Sequence, residues 1–88
     1  MKTYCFGVAI EALKNDMKVR RTGWNGKGMH LELVKACNYV VKKEFGPSDP
    51  SEIYETLPWI GMKTADGKFV PWLASQTDML SEDWEVLK

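Results

Sequence analysis

The stretch WIGMKTADGKFVPWL places an Asp66-Gly67 pair between two apolar runs. An Asp-Gly pair in this setting is among the strongest short-range signals for a β-hairpin, usually one with a type I′ turn. The pattern therefore predicts antiparallel strands at residues 59–64 and 68–73. Pro71 has no N–H to give to a strand ladder, so the second strand is expected to end there or to lie at a sheet edge.

A helix and two further strands are predicted before this hairpin. Apolar residues recur at helical spacing, which predicts a helix over residues 6–15 with one apolar stripe against a sheet. The stripe consists of Phe6, Ile10, Leu13 and Met17. Alternating apolar and polar residues predict strands at residues 18–21 and 29–34. Between them lies TGWNGKG, here called the glycine loop, which is longer and richer in glycine than a simple turn requires.

The segment after the second strand combines a short β-forming run with a proline-containing stretch. Residues 39–43 are expected to form a third short strand. The following stretch, FGPSDPSEIYETLP, contains three prolines that interrupt regular pairing. It is therefore expected to be an ordered surface loop.

The C-terminal segment carries a helix start signal. Ser75 followed by Asp78 resembles a capping box, and it predicts a short helix over residues 76–80. Two alternatives remain for the residues after this helix: Ser81 caps a further turn, or DWEVL forms a last strand. In the second case the partly buried residues are Trp84, Val86 and Leu87. The predicted fold is α+β, with an N-terminal helix packed on an antiparallel β-sheet and a short helix near the C-terminus, in a single domain over residues 1–88.

Composition excludes several classes of function. The chain has 88 residues, and its 12 Lys and Arg balance 12 Asp and Glu. A nucleic-acid-binding module is usually basic, so no nucleic acid polymer is expected as a partner. No apolar run approaches the roughly 20 residues of a membrane span, and no signal peptide pattern opens the chain. Cys5 and Cys37 lack metal-ligand spacing, so they are interpreted as reduced, small buried hydrophobes and no metal site is expected.

No catalytic constellation is evident either. His30 is the single histidine, and no neighbouring residue in the sequence completes a triad with it. The segment GWNGKG fits neither the P-loop spacing nor GxGxxG. The chain is therefore predicted to have no catalytic residue and no cofactor.

Trp24 has little apolar sequence around it, and two interpretations stay open. Its flat face could stack on a nucleobase, while the Asn25 amide and backbone N–H groups near Gly26 bind polar edges or phosphate oxygens and Lys27 adds a charge. Alternatively, Trp24 folds over the mouth of the hairpin as a packing lid.

Trp72 poses the same choice at the end of the second hairpin strand. It precedes a helix start, where free N–H groups favour anions, and Ser75, Gln76 and Thr77 add hydroxyls and an amide. Asp78 could accept hydrogen bonds from an adenine amino group or a ribose hydroxyl. The other interpretation is that Ser75 and Asp78 only cap the helix.

The segments VRRTGWNGKGM and IGMKTADGKFVPWLASQTDMLSEDWEVL together resemble a family of small phage and prophage proteins that includes the second class of Thoeris anti-defence proteins. The resemblance covers the N-terminal helix, the glycine loop and almost everything after Trp59, roughly two thirds of the chain. Its most specific motif is MKTADG followed by PWLASQTDML. Residues 39–57 do not contribute to it.

The resemblance implies a sponge and not an enzyme, so that residues 1–88 form a single ligand-sequestering domain. Members of the family bind cyclic ADP-ribose-type signals, the glycocyclic ADP-riboses, made by a bacterial TIR-domain sensor, so that the downstream effector stays inactive. They are homo-oligomers, typically tetramers, with ligand pockets between protomers. Some relatives also bind cyclic oligonucleotide signals at separate sites.

For this chain, the resemblance implies a cyclic ADP-ribose-type nucleotide as partner, a homotetramer or a dimer, and action in the cytoplasm of the bacterial host. The ligand-binding residues it implies are Trp24, Asn25, Gly26, Lys27, Met29, Trp72, Ser75, Gln76, Thr77 and Asp78. The two indole rings among them are expected to meet across a protomer boundary. The alternatives are a sponge for cyclic oligonucleotides, an enzyme that cleaves the nucleotide, and a protein-binding module whose tryptophans form the contact face.

Overall fold

The computed structural model describes residues 2–24, 28–41 and 52–88. The elements in chain order are α1 (Phe6–Lys14), β1 (Lys18–Arg21), β2 (His30–Val34), β3 (Asn38–Val41), β4 (Glu52–Glu55), β5 (Trp59–Lys63), β6 (Phe69–Pro71), α2 (Gln76–Leu80) and β7 (Trp84–Leu87). Five strands form an antiparallel sheet in the order β6-β5-β2-β1-β7, and β3 pairs with β4 in a two-stranded sheet. The predicted α+β fold is confirmed.

Helix α1 covers one face of the five-stranded sheet. Register-paired residues share a face, and one such row across the sheet is Val86, Val19, Leu31, Met62 and Val70. Val19 and Leu31, at the centre of this row, are fully buried together with Ala9 and Leu13 of α1. The helix ends where Asp16 takes a left-handed φ of 63°. The predicted end of α1 is therefore confirmed, while Met17 lies beyond it and is exposed, so its place in the buried stripe is wrong.

The opposite face of the sheet carries a local aromatic contact. The ring of Phe69 lies over Gly61 on the neighbouring strand and packs against Trp59 with 5.9 Å between ring centroids. A Cβ at Gly61 would occupy the space that the Phe69 ring fills. Glycine is needed here because an aromatic ring approaches the backbone closely, and not because of an unusual φ.

The hairpin is confirmed, but its turn type is not. The N–H of Gly67 donates to the carbonyl of Thr64 at 3.0 Å, and Gly67 has a φ of 85°. Asp66 keeps a negative φ, whereas a type I′ turn needs positive φ at both central residues. The connection is therefore a type I turn over Ala65 and Asp66, followed by a left-handed glycine that forms a G1 bulge. The expectation that β6 ends at an edge at Pro71 is confirmed.

The stretch expected to be a loop contains a strand. Strand β4 (Glu52–Glu55) pairs antiparallel with β3, with Tyr54 opposite Tyr39. The prolines lie outside this short run of β-forming residues and leave its pairing intact. The predicted third strand is confirmed over residues 39–41, and its last two residues, 42 and 43, lie outside the described part of the chain, as do residues 45–51 of the predicted loop.

The structure also tests the expectations for the C-terminal segment and for the two cysteines. The last segment forms a strand, β7, and not a further helical turn; Trp84 within it is fully buried. Cys5 and Cys37 are both exposed free thiols, so the interpretation as buried hydrophobes is wrong. Neither helix of the described residues is long and apolar enough to cross a membrane.

We predict that Gly61→Ala lowers the free energy of unfolding by about 0.5–1.5 kcal/mol, because the new methyl group displaces the Phe69 ring and breaks its contact with Trp59. Urea denaturation monitored by circular dichroism measures this. Gly23→Ala is the matched control: apart from its two chain neighbours, no described residue has an atom within 4 Å of its Cβ position, so a change within about 0.5 kcal/mol is expected. In a Phe69→Ala background the penalty at Gly61 should largely disappear; an undiminished penalty would mean that the ring is not its cause.

Candidate functional site

Three indole rings pack edge to face where the glycine loop, the end of β6 and the start of β7 meet. The ring centroids of Trp24 and Trp84 are 5.5 Å apart, those of Trp72 and Trp84 are 6.0 Å apart, and those of Trp24 and Trp72 are 6.4 Å apart. The interplanar angles of 70–84° are those of favourable edge-to-face pairs. Phe6 of α1 closes this group, here called the indole cluster, from the helix side.

Each of the three tryptophans donates a hydrogen bond to a backbone carbonyl, which holds the residue in place. The N–H of Trp24 donates to the carbonyl of Arg21 at 3.0 Å, which turns the start of the glycine loop back toward β1. The N–H of Trp72 donates to the carbonyl of Ile60 at 2.9 Å, so the β5–β6 pairing continues one residue beyond Pro71. The indole N–H of Trp84 donates to the carbonyl of Asp78 at 3.0 Å, which joins α2 to the core.

The three indoles differ in exposure and in hydrogen bonding. Trp84 is fully buried and its N–H is used, whereas Trp24 and Trp72 are partly exposed. Within the described part of the chain, the indole N–H groups of Trp24 and Trp72 have no hydrogen-bond partner. Trp24 therefore does pack as a lid over the core, but it keeps an open surface and a free donor. The two rings contact each other within one chain, so a protomer boundary is not needed to bring them together.

Ser75 and Asp78 form a complete capping box. The Ser75 hydroxyl accepts from the Asp78 N–H at 3.1 Å, and Asp78 Oδ2 accepts from the Ser75 N–H and hydroxyl at 3.0 and 2.8 Å. Asp78 Oδ1 accepts from Arg21 Nη1 at 3.1 Å. The capping interpretation is thus confirmed, and both oxygens of this carboxylate already have partners.

The pKa of Asp78 reflects this environment. Burial alone would raise it, but the hydrogen bonds from the Ser75 backbone and hydroxyl, together with the Arg21 guanidinium, hold the pKa below its ordinary value. The side chain is therefore a charged structural group in the folded protein.

Of the six remaining predicted residues, three are described by the structure and three are not. Gln76 and Thr77, in the first turn of α2, are exposed and their side chains make no hydrogen bond within residues 2–24, 28–41 and 52–88, so they remain available to a ligand. Met29 is partly buried just before β2. The three residues at the centre of the glycine loop lie outside the described residues: Asn25, Gly26 and Lys27.

His30 holds the far end of the glycine loop. Its Nδ1 lies 2.8 Å from the carbonyl oxygen of Gly28, and its Nε2 lies 2.9 Å from Glu32 Oε1. Both partners are acceptors, so the two bonds form together when the ring carries two protons. The hydrogen bond from His30, supported by Lys18 and opposed by burial, holds the pKa of Glu32 below its ordinary value. A histidine with both nitrogen atoms engaged is a structural residue here.

A separate groove of about 530 Å³ lies between α1 and the end of β7. Apolar side chains such as Val8 and Val86 line it, with Glu11 and Lys88 among the polar residues. None of the predicted ligand residues lines this groove. Because the groove contains none of these residues, we place the candidate site at the indole cluster. The described residues contain no group of three or more His, Cys, Asp or Glu side chains that could hold a metal ion.

Comparison with known proteins identifies the family. The model of the Thoeris anti-defense 2-like domain matches residues 4–87. The chain belongs to the Thoeris anti-defense 2-like family. It is also 42% identical to the Thoeris anti-defense 2 protein of Bacillus phage SP01, in an alignment that covers 99% of each chain. The resemblance predicted from the sequence is confirmed, and it extends across residues 39–57, which had not contributed to it.

In this member of the Thoeris anti-defense 2-like family, Arg21 is a residue that sequence reasoning missed. Its Nε and Nη2 donate to the two oxygens of Asp83 at 3.0 and 3.4 Å, and its Nη1 donates to Asp78. The hydrogen bond to Asp83 is the main cause that holds the pKa of the Arg21 guanidinium above its ordinary value. No local spacing links residues so far apart in the chain, so only the fold reveals this contact.

We predict that Asp78→Asn lowers the free energy of unfolding at neutral pH by about 1–3 kcal/mol, because the Arg21 ion pair is lost. Since the folded-state pKa of Asp78 is lowered, its contribution is fully present above the unfolded-state pKa and is lost as the pH falls through the folded-state pKa. The difference between wild type and variant should therefore shrink as the pH falls below about 4.

Chemical denaturation at a series of pH values measures this dependence. Glu82→Gln is the control, because Glu82 is exposed and has no ion pair in the described structure. A constant difference between wild type and Asp78→Asn at all pH values would contradict the assignment of the ion pair.

Proposed function

We propose that the chain counters Thoeris defence as a sponge: it binds a cyclic ADP-ribose-type signalling nucleotide and sequesters it without degrading it, so that the effector is not activated. In this proposal a phage or prophage encodes the protein, and it acts in the cytoplasm of the bacterial host. The observation that carries the proposal is the pair of partly exposed indoles, Trp24 and Trp72, whose N–H groups have no partner in the described structure. Membership of the Thoeris anti-defense 2-like family supplies the biological process.

The chemistry of the indole cluster suits an adenine nucleotide. Stacking of a base on an aromatic side chain contributes roughly 1–3 kcal/mol, and it needs an open aromatic face held in place. Trp84 and Phe6 hold the rings from below. The exposed amide of Gln76 and hydroxyl of Thr77 add neutral donors along the same segment of chain.

Sequestration requires affinity and no bond breaking. The effector stays inactive when the free signal is held below its threshold, which depends on a low Kd and on excess protein. Among the described residues, the groups best suited to acid–base chemistry are engaged elsewhere: His30 by Gly28 and Glu32, and Asp78 by Ser75 and Arg21. This engagement favours binding over cleavage.

Exposed leucines support a homo-oligomer with pockets completed by a second protomer. Leu73, which precedes α2, and Leu80, its last residue, are 91% and 79% exposed. Helix α2 has no buried residue of its own. Covering these side chains with a partner copy would remove apolar surface from water next to Gln76 and Thr77, in a tetramer or a dimer.

The test is isothermal titration calorimetry of the protein with a panel of cyclic ADP-ribose isomers and cyclic di- and trinucleotides. We expect tight binding of at least one cyclic ADP-ribose isomer. Trp72→Ala should weaken this binding by about tenfold or more, because a stacking face is lost. Trp72→Phe, which keeps an aromatic face and the packing against Phe6, should retain most of the affinity.

Trp59→Ala is the matched control, because Trp59 packs on Phe69 and not in the indole cluster; its affinity should equal that of wild type. Heat-denaturing the complex and analysing the released nucleotide separates sponge from enzyme, since an enzyme returns altered ligand. Failure to bind any compound of the panel would contradict the proposal. Binding of cyclic oligonucleotides alone would redirect it to that ligand class.

A further inference from the structure

We propose that Arg21 is the positioning residue of the candidate site: it fixes residues 22–24, at the start of the glycine loop, relative to α2, so that Trp24 and Trp72 keep their edge-to-face geometry. Its importance for ligand affinity rests on the proposed function, whereas its effect on the rings does not. Arg21 need not touch the ligand for this role. It acts through the side chains and backbone groups that it holds.

Arg21 contacts both the start of the glycine loop and the first turn of α2. The backbone carbonyl of Arg21 accepts the N–H of Trp24 at 3.0 Å, at the start of the glycine loop. The Arg21 guanidinium donates to Asp78 at 3.1 Å, in the first turn of α2. The carbonyl of the same Asp78 accepts the indole N–H of Trp84, whose ring contacts both Trp24 and Trp72.

A second carboxylate holds the guanidinium in place. Arg21 Nε and Nη2 bond both oxygens of Asp83, just before β7, while Nη1 remains for Asp78. The Asp83 carbonyl in turn accepts both the N–H and the hydroxyl of Thr22, the first residue of the glycine loop. The planar fork of arginine can bond two carboxylates at once, whereas the point charge of lysine cannot reproduce that geometry.

The ion pairs of Arg21 with Asp78 and Asp83 are partly buried, so the two carboxylates depend on the guanidinium to stay close together. The Arg21 side chain is 22% exposed and that of Asp78 is 15% exposed. Without the guanidinium, two neighbouring carboxylates would be left facing each other in a half-buried place, and such charges separate or draw in water. Movement of Asp78 would remove the acceptor of the Trp84 indole and loosen the indole cluster.

The chain offers a closely matched control in the preceding residue. Arg20, also in β1, makes an ion pair with one carboxylate among the described residues, that of Glu85 in β7. The distance from Arg20 Nε to Glu85 Oε1 is 3.1 Å. Its side chain is 28% exposed, close to that of Arg21, and Glu85 is more buried than Asp78. Adjacent strand residues point to opposite faces of a sheet, so Arg20 lies on the face away from the indole cluster.

The experiment compares Arg21→Ala, Arg21→Lys and Arg20→Ala with wild type in three measurements. The first is the far-ultraviolet circular dichroism band that coupled indole rings produce, recorded without ligand. The second is the thermal unfolding midpoint, and the third is calorimetric affinity for the cyclic ADP-ribose isomer that wild type binds.

We expect Arg21→Ala to lose most of the indole band and to bind about ten- to a hundredfold more weakly, the range that a lost hydrogen bond between charged groups gives. Arg21→Lys should fold and give intermediate values, because an ammonium group replaces only part of the fork. Arg20→Ala should lower the unfolding midpoint at least as much, yet keep the indole band and the affinity.

Retention of the indole band by both Arg21 variants would overturn the proposal. So would an equal loss of the band in Arg20→Ala, since the effect would then follow stability and not position. If wild type binds none of the nucleotides, the proposed function fails, and the circular dichroism comparison alone still decides whether Arg21 positions the rings.

Discussion

The burial of Trp84 is the interaction on which the rest of the structure depends. Its ring contacts Phe6 of α1 and both outer indoles, its N–H binds the carbonyl of Asp78, and its backbone exchanges two hydrogen bonds with Tyr4. A chain this short buries little apolar surface, so one large aromatic side chain contributes a major share of its core. Because the partly exposed indoles rest on this ring, the core and the candidate site are one packing unit.

Much of the fold could be predicted because its signals are local. Helix α1, the β5–β6 hairpin and the capping box of α2 each depend on residues a few positions apart. The errors arose where local signals were incomplete: Asp66-Gly67 indicated a hairpin but not whether one or both residues take positive φ, and the prolines near β4 concealed a strand that pairs over only four residues. The contacts that build the indole cluster join distant segments, and spacing cannot predict them.

The candidate site follows the same division. Local sequence had offered Trp24 and Trp72 as stacking or packing residues, the resemblance implied that they bind ligand, and the structure places the two rings together. It also shows that Ser75 and Asp78 serve the helix start, which local capping rules had offered as the alternative. The role of Arg21 depends on carboxylates that only the folded sheet and helix bring within hydrogen-bond distance. A pattern of residue types cannot distinguish an unpaired carboxylate, which is free to bind a ligand, from one that is already paired with a cation of the protein.

The order of these side chains in the free protein affects how tightly a small protein can bind a ligand. Ordering mobile aromatic side chains on ligand binding costs free energy, and that cost reduces affinity. In this chain the outer indoles are already ordered by Trp84, by backbone hydrogen bonds and by the fully bonded capping box. The side chains of Gln76 and Thr77 make no hydrogen bond within the described residues and are exposed, as are Leu73 before α2 and Leu80 at its end. For the proposed sponge, this means that the folding of the chain, and not the binding of the ligand, meets most of the cost of ordering the aromatic side chains.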